Sequence, residues 1–216
     1  MSTPGQIVIL NGAPRSGKTS IARTMQERLD GIWIKLGVDA YQQMVPERLR
    51  PSIGLRPGGE RPDLEPHLPL LFTALYESVA AHSRLGLNVV VDIGHHDAFS
   101  KPLHILPDCA RRLVGFPVLL VGVHCPLAII MQRRATPEAS REAMYLQSGA
   151  GGDVPAPAIA WQREVHLPGL YDLELDTSLL SPEECADEIG LALQQELRAP
   201  RAIDRIAALS TPSTLD

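Results

Sequence analysis

Gly12-Ala13-Pro14-Arg15-Ser16-Gly17-Lys18-Thr19 has the residue types and spacing of a phosphate-binding loop. Its two glycines let successive backbone N–H groups turn inward around phosphate oxygens, and a helix starting there points its positive end at the same anion. Lys18 would reach the β- and γ-phosphates, the Thr19 hydroxyl would ligate Mg²⁺, and Ser20 continues the turn. The context fits, because Ile7-Val8-Ile9-Leu10 precedes the loop as an apolar strand and an amphipathic segment follows it. The chemistry implied is binding and transfer of the terminal phosphate of a nucleotide.

Such transfer depends on positioning and charge neutralisation, so it needs a metal carboxylate, a group that orients the accepting hydroxyl, and cations. Asp92 closes Val89-Val90-Val91 and would emerge at the carboxyl edge of a sheet, where it can hold Mg²⁺ directly or through water or, more simply, cap the next turn. Asp39, in Leu36-Gly37-Val38-Asp39-Ala40-Tyr41, reads as the end of another strand at the same edge. It can take the hydroxyl proton, or it can cap a helix running through Tyr41 and Met44. Arg133 and Arg134 end a helix, and Arg141 lies beyond Thr136-Pro137; arginines there can close on the phosphates. His95-His96-Asp97 directly follows Asp92, and adjacent histidines with no second Cys/His set suit a substrate-lining loop better than a metal cluster. Tyr41, Trp33 and Trp161 serve equally as walls for a ring-bearing substrate or as core.

The elements that position these residues form an α/β pattern. Five candidate strands, Ile7 to Leu10, Ile32 to Leu36, Val89 to Asp92, Val118 to Val123 and Tyr171 to Asp176, the first, third and fourth continuously apolar, alternate with helical periodicity, which predicts a five-stranded parallel sheet with helices on both faces. Ile21, Ala22, Met25 and Leu29 mark one helix, and Leu68, Leu71, Leu75 and Val79 a second. Ser181-Pro182-Glu183-Glu184 is a capping box opening a third. A single domain over residues 1–198 is expected, followed by a C-terminal helix and tail at 199–216. The Pro- and Gly-rich stretches near 42–71 and 134–157 read as an acceptor-site insertion and a lid.

Composition narrows the partners. A formal charge of −5 with dispersed basic residues provides no field for a nucleic-acid backbone. Three scattered cysteines, Cys109, Cys125 and Cys185, suggest a reducing compartment, and no apolar run is long enough to span a bilayer, so a soluble cytoplasmic protein is expected.

Taken together, the residues resemble chloramphenicol phosphotransferase and its relatives, small kinases that phosphorylate a hydroxyl of an antibiotic. The resemblance rests on Ile9-Leu10-Asn11-Gly12, Gly37-Val38-Asp39, Val89-Val90-Val91-Asp92, Val121-Gly122-Val123-His124-Cys125 with Arg133 beyond it, and His166 followed by Tyr171-Asp172-Leu173-Glu174-Leu175-Asp176-Thr177. It covers nearly all of residues 6–198. The resemblance implies the nucleoside-monophosphate-kinase type of P-loop fold, ATP and Mg²⁺ as cosubstrates, Asp39 as base, Arg133 facing the phosphates, and assembly from several identical subunits. An antibiotic-resistance role follows as an expectation. Two departures bear on the acceptor: the lid has Gly152-Asp153-Val154 where an arginine is looked for, and residues 42–71 differ from the family. A kinase for nucleosides, nucleotides or activated sugars, resembling zeta-type toxins, remains open, with Arg48, Arg50, Arg56 and Arg61 available for an anionic acceptor. So does a nucleotide-binding regulatory module without transfer activity.

Overall fold

A computed structural model describes residues 3–135, 154–195 and 200–209. Its centre is a five-stranded sheet in the order β2-β3-β1-β4-β5, built from β1 Ile7–Asn11, β2 Trp33–Gly37, β3 Asn88–Ile93, β4 Val118–His124 and β5 Leu173–Asp176. Every pairing is parallel. Continuous apolar runs are what a sheet covered on both faces requires, since alternate side chains must be buried on opposite sides. On β1, Ile7 and Ile9 join one core with Val89, Val91, Val118 and Leu120, while Val8 and Leu10 join a second with Val90, Leu119 and Val121.

Helices cover the two faces. α1 (Lys18–Arg28) and α7 (Pro182–Gln194) place Ile21, Ala22, Met25, Cys185, Ala186 and Ile189 in the second core. α3 (Leu68–Arg84), α4 (Ile105–Leu113) and α8 (Ala202–Leu209) cover the first, where Leu68, Leu75, Val79, Cys109, Leu113 and Ile203 are buried. α2 (Val38–Met44) starts directly from β2, and α5 (Leu127–Ala135) and α6 (Ala156–Glu164) lie beyond β4. Asp172 links the C-terminal helix to the sheet, accepting from Leu120 N at 2.9 Å and from Ala202 N at 2.8 Å. Among the described residues no helix is long and apolar enough to cross a membrane.

The sequence-expected boundaries shift at β2, which starts at Trp33 and ends at Gly37, and at β5, which starts at Leu173. Tyr171 precedes β5, and its ring lies over Gly122 of β4, where a Cβ would come within 2.7 Å of it. The irregular stretch after α2 holds short 3₁₀ turns at Glu47–Leu49, Ser52–Gly54 and Glu65–His67, anchored by buried Ile53, Leu55 and Leu64. Most of the expected lid, and Arg141 with it, lies outside the described residues.

The α7 capping box is formed as expected: Glu184 N donates to Ser181 Oγ at 3.2 Å and Ser181 N to Glu184 Oε2 at 2.8 Å. Replacing Ser181 by alanine leaves a helix-end N–H without its acceptor, so urea denaturation should show a loss of about 1 kcal/mol. An unchanged midpoint would mean that solvent serves that end equally well.

Candidate active site

The carboxyl ends of β1, β2 and β3 meet at one edge, with Leu10 and Gly37 both in register with Asp92. The loop between β1 and α1 turns through the left-handed region at Arg15 (φ 70°) and Gly17 (φ 101°), which bends its N–H groups toward one centre. Gly12 is fixed by close approach, since a Cβ there would lie 2.4 Å from Val123 O. The loop therefore has the shape of a phosphate cradle.

Lys18 is 8% exposed; its Nζ donates to Ala13 O at 3.0 Å and sits 3.8 Å from Asp92 Oδ1. Thr19 Oγ1 donates to Asp92 Oδ2 at 2.5 Å. A hydroxyl and a carboxylate converging in this way are hard oxygen donors that suit Mg²⁺, with space for water and phosphate oxygens on the cavity side. Arg133 is tied to Thr177 beside the loop: its Nη1 donates to Thr177 Oγ1 at 3.0 Å and its Nη2 to Thr177 O at 2.6 Å. Thr177 in turn donates from Oγ1 to Ser16 O at 2.7 Å. Sequence reasoning assigns no role to Thr177, because a lone threonine after a strand carries no signal until the loop it touches is known.

A cavity of about 700 Å³ opens over this edge. Gly12, Pro14, Arg15, Gly17, Lys18, Thr19 and Ser20 line it from the loop, and Arg133 and Arg134 from the end of α5. Ala13 and Ser16, expected to bind nucleotide, are buried and do not line it. Asp39, Gln42, Arg56, Asp92 and Gly94 line it as well. Asp39 neither ends β2 nor caps α2: Gly37 does both, and Asp39 sits in the first turn of the helix. Gly37 (φ 151°) permits this, because a Cβ there would strike Asp92 O at 2.3 Å.

Three residues expected at the acceptor are placed elsewhere. Tyr41 is buried against α3, donating from its hydroxyl to Ala74 O at 2.8 Å. His95 is 1% exposed and held between Tyr76 Oη at 2.9 Å and Asn11 Oδ1, while His96 Nε2 lies 3.0 Å from Leu55 O with its ring edge-on to Trp161. None of the three lines the cavity. The Tyr41 hydroxyl and the His95 ring find buried partners, and His96 does so through Nε2 while its Nδ1 is buried without one. Trp161, by contrast, does line it. Among the described residues no group of three or more His, Cys, Asp or Glu is arranged for a metal.

Behind the loop, Asn11 joins three segments. Its Oδ1 accepts from His95 N at 2.8 Å, and its Nδ2 donates to Val165 O at 2.7 Å and Tyr171 Oη at 2.8 Å. Tyr171 Oη also meets His166 Nδ1 at 2.8 Å, and the His166 ring stacks on His124 with centroids 4.0 Å apart. Burial pushes His95 down to about 3, and burial together with the neighbouring His124 pushes His166 down to about 4. The unfolded chain therefore binds more protons than the folded one below the ordinary histidine value of 6.5. This stability is fully present above that value and is lost as pH falls toward the folded values. Denaturation between about pH 6.5 and 5, where carboxylates stay ionised, should show stability falling with pH, with a shallower slope in His95→Gln. Equal slopes would contradict a buried neutral His95.

Residues 5–194 match the model of the chloramphenicol phosphotransferase-like proteins. The chain belongs to the chloramphenicol phosphotransferase-like family. It is 28% identical over 204 residues to a Mycobacterium tuberculosis (strain H37Rv) protein provisionally named O-phosphotransferase Rv2636, covering 88% of this chain and 83% of that one. Among solved structures it is similar to the M. tuberculosis APS kinase CysC in complex with AMPPNP and APS, at TM-score 0.61 and 17% identity over 90% of this chain and 100% of that one. It is also similar to a Sinorhizobium meliloti gluconokinase, at TM-score 0.53 and 19% identity over 89% and 93%. This member of the phosphotransferase-like family thus has the P-loop kinase fold of nucleoside-monophosphate-kinase type, in agreement with the reading of its residues.

Proposed function

We propose that the chain is an ATP-dependent, Mg²⁺-requiring phosphotransferase that moves the γ-phosphate to a hydroxyl of a small molecule, an antibiotic such as chloramphenicol being the acceptor its family suggests. One observation carries this reading: Asp39 shares a single cavity with the phosphate loop and with the Thr19–Asp92 pair. Phosphate would lie against the backbone turn from Gly12 to Gly17, with Lys18 and Arg133 supplying positive charge. Thr19 and Asp92 would hold magnesium, which neutralises charge on the transferring group when bound. Asp39, lining the same cavity, would hold the acceptor hydroxyl by its proton and take that proton as the oxygen attacks the γ-phosphorus in line. The carboxylate in that cavity is what favours transfer over nucleotide binding alone.

ATP consumption measured with and without hydroxylated acceptors tests the reading. ADP should form in proportion to an added acceptor that is turned over. ADP formation indifferent to every acceptor would mean hydrolysis rather than transfer and would contradict it.

A further inference from the structure

Thr177 directly follows β5, is 8% exposed, and reaches three segments at once. Its N–H donates to His124 O, at the end of β4, at 3.0 Å, which fixes its backbone to the sheet. Its hydroxyl donates to Ser16 O at 2.7 Å and accepts from Arg133 Nη1 at 3.0 Å, while its carbonyl takes Arg133 Nη2 at 2.6 Å. Gly17 and Arg133 line the cavity together with it. The sheet edge, the phosphate loop and the end of α5 thus meet on one residue.

The bond to Ser16 constrains the loop. The peptide between Ser16 and Gly17 is planar and trans, so its carbonyl and its N–H point in opposite directions. Holding Ser16 O against Thr177 therefore turns Gly17 N–H away from Thr177. Gly17 immediately precedes α1 at φ 101°, and a Cβ there would meet Thr177 Cγ2 at 3.4 Å and Arg133 Nη1 at 3.6 Å. The left-handed turn of the cradle is backed by the Thr177 methyl and tied by its hydroxyl.

The bond from Arg133 reinforces the first. The hydroxyl has one proton, and Ser16 O receives it at the shorter distance, 2.7 Å against 3.3 Å to His124 O. Its oxygen accepts from a guanidinium, and such a charge-assisted bond polarises the hydroxyl so that it donates more strongly. Arg133 Nη1 also lies 3.4 Å from Arg15 O, a second point of attachment to the loop.

We propose that Thr177 is a positioning residue for the nucleotide phosphates: through its hydroxyl it couples Arg133 to the Ser16–Gly17 peptide and keeps both set for bound phosphate. Its part in transfer rests on the phosphotransferase reading above, whereas its effect on nucleotide binding does not. A side chain that acts through a partner has a definite signature, because the cost of removing it shrinks once that partner is gone.

Calorimetric titration of the full chain with a non-hydrolysable ATP analogue and Mg²⁺ is the test. Thr177→Val keeps the shape and removes the hydroxyl, leaving Ser16 O without this donor, so affinity should fall about tenfold, the factor one such bond supplies. Thr177→Ser should bind as the wild type does. Thr177→Ser and Thr177→Ala differ in the hydroxyl alone and give the same comparison should the valine chain fail to fold. In an Arg133→Ala background, Thr177→Val should cost less than it does in the wild type. An equal factor in both backgrounds means that the two residues act independently and overturns the coupling. Wild-type affinity in Thr177→Val, with or without a lower Tm, makes the hydroxyl structural only and overturns the proposal. A serine variant as weak as the alanine one overturns it too, as does tighter binding in Thr177→Val, which would mean that Thr177 holds Arg133 back from the phosphates. Weakened analogue binding in Thr177→Val, with ADP formation in the wild type indifferent to every acceptor, would uphold Thr177 and identify the phosphotransferase reading as the part that failed.

Discussion

Asp39→Asn should lower kcat by about 10²–10⁴-fold, the range that a positioned general base contributes. The asparagine keeps the size of the side chain and can still accept a hydrogen bond from the hydroxyl, but it cannot take the proton. Asp39 sits in the first turn of α2 and lines the cavity without being part of the phosphate loop. The loss should therefore fall on kcat, with the affinity for an ATP analogue nearly unchanged. Steady-state kinetics paired with calorimetric titration of the analogue separates the two. A variant that transfers phosphate at the wild-type rate would remove Asp39 from the mechanism, and one that no longer binds nucleotide would make its role structural.

The other large effect is expected at Lys18. Its ammonium lies 3.8 Å from Asp92 Oδ1 and donates to Ala13 O, so it is held between the cradle and the metal carboxylate. Lys18→Ala removes the cation that meets the charge developing on the transferring group, and such groups supply about 10²–10³-fold in kcat. It also leaves Asp92, whose side chain is 15% exposed, without its neighbouring positive charge. Nucleotide affinity should fall together with kcat, which distinguishes this variant from Asp39→Asn. Lys18→Arg should not rescue, because the planar guanidinium is wider than an ammonium and the site is nearly closed. Full activity in Lys18→Arg would mean that only charge is required there.

The parts of the fold legible in the sequence are those where one physical rule dominates. Continuous apolar runs mark strands buried on both faces, so the strands at Ile7–Asn11, Asn88–Ile93 and Val118–His124 are legible by that rule, while Trp33–Gly37 and Leu173–Asp176 carry charges and are less sharply bounded. The box at Ser181 and Glu184 is a local motif that needs no tertiary information. α4 and α6 are not legible. Pro107 interrupts the helical signal of α4, and Pro155 and Pro157 give the start of α6 the composition of a loop, although proline is tolerated in a first turn.

At the site, Lys18, Thr19 and Asp92 can be read because their spacing fixes their geometry relative to one strand edge. Tyr41, His95 and His96 cannot. Proximity in sequence to Asp39 or Asp92 does not say which way a side chain turns, and buried partners in Ala74, Asn11, Tyr76 and Leu55 draw these three inward.

The central claim is that phosphate passes from nucleotide to an acceptor hydroxyl in the cavity between the phosphate loop and Asp39. Incubating the enzyme with ATP labelled in its γ-phosphate and a panel of hydroxylated small molecules, then identifying the labelled product by mass spectrometry, tests it most directly. The account predicts a labelled phosphate ester of an acceptor, formed by the wild type and absent with Asp39→Asn. Label recovered only as inorganic phosphate, or the same ester formed equally by the variant, would contradict it.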